Sequence, residues 1–195
     1  MDQPAAAACA WLDTHTEDLF DCLEAWVACN SVFPEELGFQ RDHVEPFLRG
    51  QLALDQVARV NVCAEADRPF EVGVWKGTGG GRNLILNGQV ETVGAAGSMR
   101  ANWSSDPWQP YVKDGRLYGR GASDMKGGVV AMLWAVKALQ AAGVRLRGDV
   151  LLAMVPGEET MRYDIGTVAA TRWFTDQGYA IPFAVVTEPT HLEVH

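Results

Sequence analysis

Ten consecutive residues, Gly119-Arg120-Gly121-Ala122-Ser123-Asp124-Met125-Lys126-Gly127-Gly128, place one carboxylate in a glycine-walled turn that runs directly into a strongly apolar segment. Glycine permits tight backbone approach and unusual dihedrals. Met132, Leu133, Val136 and Leu139 follow on related faces, which predicts a helix over residues 126–142 stopped at Gly143. Asp124 is thereby held at an element boundary, suited either to presenting its carboxylate to a metal ion or to capping the helix.

The rest of the chain reads as alternating helices and short strands. Residues 3–29 carry Leu19, Leu23, Trp26 and Val27 on one side and Glu17, Asp18, Asp21 and Glu24 mostly on the other, the pattern of an amphipathic helix. A second helical stretch is expected over residues 35–54, interrupted or kinked near Pro46. Strands are expected at 57–63, 70–75, 83–90, 149–155 and 183–186, with a helix at 165–177. The glycines of Gly77-Thr78-Gly79-Gly80-Gly81 do not complete a phosphate-binding pattern, because Arg82 stands where the last glycine is needed. They read as a hairpin loop between two strands. Continuous apolar strands between helices imply a sheet covered on both faces.

Composition narrows the function classes. With 195 residues and 48% hydrophobic content, one moderate α/β unit with a real core is the economical organisation. A net charge of −9 with no basic run argues against nucleic acid as a partner. No apolar run is long enough for a membrane span, and no leader pattern precedes the first helix, so cytoplasmic residence is the expectation. Cys9, Cys22, Cys29 and Cys63 lack metal or redox spacing and read as small buried side chains. His15 and His43 fall in the N-terminal helices and read as structural or solvent-facing.

Together with Asp114-Gly115-Arg116-Leu117-Tyr118, the glycine-walled turn closely resembles the motif of the M20-type metallohydrolases, the group of acetylornithine deacetylase and succinyl-diaminopimelate desuccinylase. Three further segments match in order. The strand at 83–93 resembles the one bearing Gly-His-x-Asp, Gly157-Glu158-Glu159-Thr160 resembles the family's acidic pair, and Glu188-Pro189-Thr190 resembles its later ligand turn. The resemblance implies a three-layer α/β/α mixed sheet of the zinc-exopeptidase type. It covers this chain as a partial catalytic domain over 1–195, without the lid or dimerisation domain and the C-terminal catalytic strands. A sheet edge left uncovered in this way would call for self-association.

The resemblance also implies roles. Asp124 would bridge two zinc ions, or cobalt or manganese in their place. Glu159 and Glu188 would each ligate one ion, and Glu158 would act as the base that activates water. The position of the first ligand His is Gln89, whose neutral amide oxygen is a weak zinc donor. The position of the Asp that orients that ligand and supports the base is Glu91, one methylene longer. The implied reaction is hydrolysis of an amide bond in an N-acyl amino acid or small peptide, impaired by both substitutions. The alternative is a non-catalytic binding module or a truncated fragment of such a hydrolase. Each acid also has a plain structural reading: a helix N-terminus for Glu158 and Glu159, and a proline-bounded turn for Glu188. His191 and His195, spaced i, i+4, could stand in for the missing imidazole if the tail folds back.

Overall fold

Two strands dictate the architecture. β2 (Phe70–Trp75) and β6 (Val150–Val155) are buried at every residue, so both faces of the sheet must be covered. A computed structural model describes residues 3–190 and shows how. β1 (Gln56–Val60), β2, β3 (Leu84–Gln89), β6 and β7 (Phe183–Val186) form a mixed sheet in the order β1-β2-β6-β3-β7. The β1-β2 and β2-β6 pairs are antiparallel, and β3 runs parallel to both β6 and β7.

Successive strand residues point to opposite faces, and the two faces meet different helices. Phe70, Val72, Val74, Ile85, Leu151 and Ala153 pack with Ala169, Ala170 and Phe174 of α6 (Thr167–Asp176). On the other face Trp75, Leu86, Leu152 and Met154 share a core with α5 (Gly127–Ala141), α2 (Thr16–Ala28) and α4 (Glu45–Gly50). α1 (Gln3–Thr14) lies against α5 through Trp11, whose ring centroid is 5.9 Å from that of Trp134. This is the expected three-layer α/β/α arrangement. Leu152, fully buried between layers, is the kind of residue whose truncation to Ala costs about 2–5 kcal/mol.

Several local expectations need correction. The N-terminal helix divides at His15, whose ring stacks on Trp11 at 3.9 Å while Nδ1 lies 2.8 Å from Trp11 O. The second helical stretch is α3 (Glu36–Phe39), a π-helical turn (Gln40–Val44) and α4, ending at Gly50 rather than at 54. Pro46 does not break it. Glu45 N already donates five residues back to Gln40 O, so the bond that proline cannot make falls where the helix has shifted register.

The hairpin expected at Gly77–Gly81 is overturned, because β6 lies between β2 and β3. The glycines instead let this connection cross the backbone leading into β6. A Cβ on Gly77 would lie 2.4 Å from Gly148 O, and one on Gly81 would lie 2.3 Å from Gly148 N. A real hairpin went unread at β4 (Tyr111–Lys113) and β5 (Arg116–Tyr118), where Asp114 and Gly115 both take positive φ, 51° and 72°. That is the conformation of a two-residue hairpin turn.

Covering of both faces also fails at β7, where Phe183, Val185 and Val186 remain 44–48% exposed. Of the cysteines only Cys63 is buried; Cys22 and Cys29 are half-buried and Cys9 is exposed. His191 and His195 lie outside the described residues.

Candidate functional site

The acidic residues singled out in the sequence gather at the C-terminal ends of β3, β6 and β7, the edge where open α/β sheets carry function. Asp124 sits in a turn (Ala122–Lys126) with non-helical dihedrals, φ −122° and ψ 98°. Gly121, at φ 79°, starts the turn, and a Cβ there would meet Thr92 Cγ2 at 2.5 Å. α5 begins after Lys126 and no side chain caps it. Asp124 is therefore not spent as an N-cap.

Two glycines bring the turn against the sheet. Gly88 on β3 lies under Val129 and Met132, which a Cβ would meet at 2.7 and 2.9 Å. Gly128 lies against Thr187, the residue before Glu188, whose carbonyl oxygen a Cβ would approach to 2.1 Å. Glu188 is thus carried to Asp124 by backbone contact. The pair Glu158 and Glu159 occupies a tight turn opened by Gly157 at φ 94° and closed by Met161 N→Glu158 O at 3.0 Å. α6 starts later, at Thr167, with no acid in its first turn. The helix N-terminus reading of the two glutamates falls with that.

The carboxylates raise one another. Glu188 is pushed up to about 7 by burial first, then by the charges of Asp124 and Glu158 and a hydrogen bond with Asp124. Glu158 and Glu159 are raised by burial and then by Asp124. The side-chain amide of Gln89 answers part of this charge, Nε2 donating to Asp124 Oδ1 at 3.0 Å. Its other end, Oε1, is buried with no partner among the described residues.

Glu91, the second altered position, is closed in. Oε2 accepts from Arg68 Nη2 at 2.5 Å, and Oε1 accepts from Thr160 N at 3.1 Å. Arg68 also donates to Glu36 Oε1 at 2.6 Å, so Glu91 ties α3 to the turn bearing Glu158 and Glu159. Lys126, 1% exposed, donates to Trp26 O and Cys29 O at 2.9 and 2.6 Å and lies 4.3 Å from the Phe39 ring centre. Burial lowers its ammonium to about 7. Arg68, Glu36 and Lys126 were missed in the sequence, where a buried charge looks like a solvated one.

Among the described residues no three His, Cys, Asp or Glu side chains group closely enough to hold a metal ion. The nearest donor set is oxygen throughout: carboxylates and the orphaned amide oxygen of Gln89. Such donors suit hard cations, whereas zinc sites are mostly built around imidazole or thiolate. The described residues therefore do not fit zinc.

Comparison with known proteins agrees with the fold. Residues 85–195 match the family described as Peptidase family M20/M25/M40, and the chain belongs to that family. It is 38% identical over 128 residues to N-formyl-4-amino-5-aminomethyl-2-methylpyrimidine deformylase of Bacillus subtilis, a match covering 65% of this chain and 28% of that protein. It is 32% identical over 178 residues to succinyl-diaminopimelate desuccinylase of Thioalkalivibrio sulfidiphilus, covering 90% and 44%. The fold matches human carnosine dipeptidase 1 with a TM-score of 0.75 at 22% identity, covering 93% of this chain and 40% of that one. It also matches an M20 metallo-carboxypeptidase of Sulfolobus solfataricus, with a TM-score of 0.70 at 15% identity, covering 87% and 37%. The chain spans less than half the length of these relatives. No helix among the described residues is long and apolar enough to cross a membrane.

Proposed function

We propose that this chain carries the acidic part of an amide-hydrolase site for N-acyl amino acids or small peptides, in a form that hydrolyses little as it stands. The observation that carries the reading is the hydrogen bond from Gln89 Nε2 to Asp124 Oδ1 at 3.0 Å. An amide here satisfies the central carboxylate but supplies no imidazole. Family membership and relatives named for removing formyl and succinyl groups support the reaction class.

In this reading Glu158 is the proton-accepting group, held at the C-terminal ends of the strands by the turn that Glu91 anchors through Thr160. Its raised carboxyl moves towards the range useful to a general base. Asp124, Glu159 and Glu188 concentrate negative charge, which a divalent cation would relieve. No step through a metal follows from the donors present. The second reading, a binding module without catalysis, draws on the closure of Glu91 by Arg68 in a buried ion pair.

Calorimetric titration of the metal-free chain with zinc and manganese, with Asp124→Ala as control and circular dichroism to confirm folding, tests the proposal. Manganese binding that exceeds zinc binding and is lost in Asp124→Ala, with weak amide hydrolysis, is the expected result. A folded chain that binds neither ion and cleaves no N-acyl amino acid leaves the binding module.

A further inference from the structure

A cavity of about 540 Å³ opens between three helices, walled by Trp26 of α2, Phe47 of α4 and Trp134 of α5. It shares no lining residue with the acidic site. That volume is ample for a small molecule. Phe47 meets Trp26 edge-on with ring centres 5.8 Å apart, and Trp134 lies tilted at 49° to Phe47 with centres 6.4 Å apart. Rings held at such angles favour an aromatic guest, which can meet one edge-on and stack on another.

One wall carries an unmet donor. Trp134 is 3% exposed, and its Nε1 has no hydrogen-bond partner of ordinary geometry among the described residues. The group it faces is the thiol of Cys22, which also lines the cavity. Sulfur is a weak acceptor, and burial raises this thiol against the opposing pull of the indole N–H and Lys137, so it stays neutral. A buried N–H without a full-strength acceptor is costly, and a ligand oxygen set against it removes that cost.

The same indole decides the ligand's charge. Lys137 Nζ lies 4.3 Å from the Trp134 ring centre and 5.8 Å from that of Phe47, and it donates to Gln51 Oε1 at 3.0 Å. The cation-binding faces of these rings are therefore taken by the protein's own ammonium, and a cationic guest would be repelled. An ammonium has three donors, so a guest acceptor can share it with Gln51. Burial lowers His43, the other basic group of the lining. The two acids of the lining oppose an anion only weakly. Asp42 is held by Arg41 through both carboxylate oxygens at 2.7 Å, and Asp18 is exposed, where water and salt screen it.

We propose that this cavity binds a small arylalkanoate, its ring between Trp26, Phe47 and Trp134 and its carboxylate on Lys137 Nζ and Trp134 Nε1, with Cys22 turning aside to admit an oxygen. Lys137 then selects the acid, and the three rings select the aromatic body. The site stands whether or not the acidic cluster hydrolyses amides.

The test titrates the full chain, isotope-labelled at tryptophan, with phenylpropanoate, phenylpropanol, phenylpropylammonium and cyclohexylpropanoate. Calorimetry gives the affinities, and NMR follows the Trp134 indole N–H signal, assigned with Trp134→Phe. Phenylpropanoate is expected to bind about tenfold more tightly than the alcohol and about fivefold more tightly than the cyclohexyl acid, and to move the Trp134 signal downfield. The ammonium is expected not to bind. Lys137→Met, which keeps most of the side-chain stem, should weaken the phenyl acid about tenfold and leave the alcohol unchanged. Cys22→Phe fills the cavity and should abolish binding of both, with circular dichroism to confirm folding; if it does not fold, Lys137→Met and the Trp134 signal decide. Failure of the phenyl acid to bind, equal affinity for the ammonium or the cyclohexyl acid, a Trp134 signal that stays in place, or an affinity untouched by Lys137→Met overturns the inference.

Discussion

Arg68 and Glu91 meet at 2.5 Å with side chains only 6% and 0% exposed, and the same guanidinium holds Glu36 at 2.6 Å. Two buried carboxylates thus depend on one cation, which also lies over the Phe33 ring at 4.4 Å. Arg68→Met leaves both acids without a counter-charge and is expected to cost about 3–5 kcal/mol. Urea denaturation at pH 7 measures it, and a loss below about 1 kcal/mol would show that the pair is not buried as described.

Gln89→His supplies the nitrogen donor that the acidic cluster lacks. Zinc affinity is expected to rise at least about tenfold, the scale on which metal ligands and their immediate supports act. Adding Glu91→Asp shortens the side chain that reaches Arg68, so the double variant should lose stability relative to the single one. Titration calorimetry paired with thermal melts separates the two effects.

Glu71 predicts a pH dependence. Its carboxyl is fully buried on β2, neither oxygen has a hydrogen-bond partner among the described residues, and burial pushes it up to about 8 despite Arg59 and Arg49, with Glu45 adding to the rise. A carboxyl raised in the folded state favours folding below its unfolded pKa near 4.5. That contribution is lost as pH rises through about 8, at up to roughly 1.4 kcal/mol per unit. Glu71→Gln should match the parent at pH 4.5 and exceed it at pH 8.5. Parallel melts across this range that never diverge would show that the carboxyl is not held neutral.

Gly128→Ala forces a Cβ to within 2.1 Å of the Thr187 carbonyl oxygen. Backbone cannot yield as a side-chain tip can, so a loss of about 1–3 kcal/mol is expected. Glu188 should move away from Asp124 and titrate closer to an ordinary carboxylate, which NMR of its side-chain carbon would report.

What was legible in the sequence is what is local. β2 and β7 fall at 70–75 and 183–186 as their apolar runs predict, and the four motif segments do converge on one edge of the sheet. Strand order was not legible, because β6 enters between β2 and β3 through partners far away in sequence. The glycines at 77–81 therefore looked like a turn when they mark a backbone crossing. Arg68 was hidden for a related reason. Within Asp67-Arg68-Pro69 it reads as a surface residue, and only Glu36 and Glu91, brought in by the fold, explain its burial.

The placement of β6 between two earlier strands also governs timing. Glu71 pairs with Met154 across about 80 residues of chain. During synthesis at about 5–20 residues per second, β1 and β2 must wait several seconds as a lone hairpin before their inner edge is closed. Throughout that interval Phe70, Val72 and Val74 lack the partners they are buried against, and the yield of folded protein depends on how quickly β6 and α6 arrive to cover them.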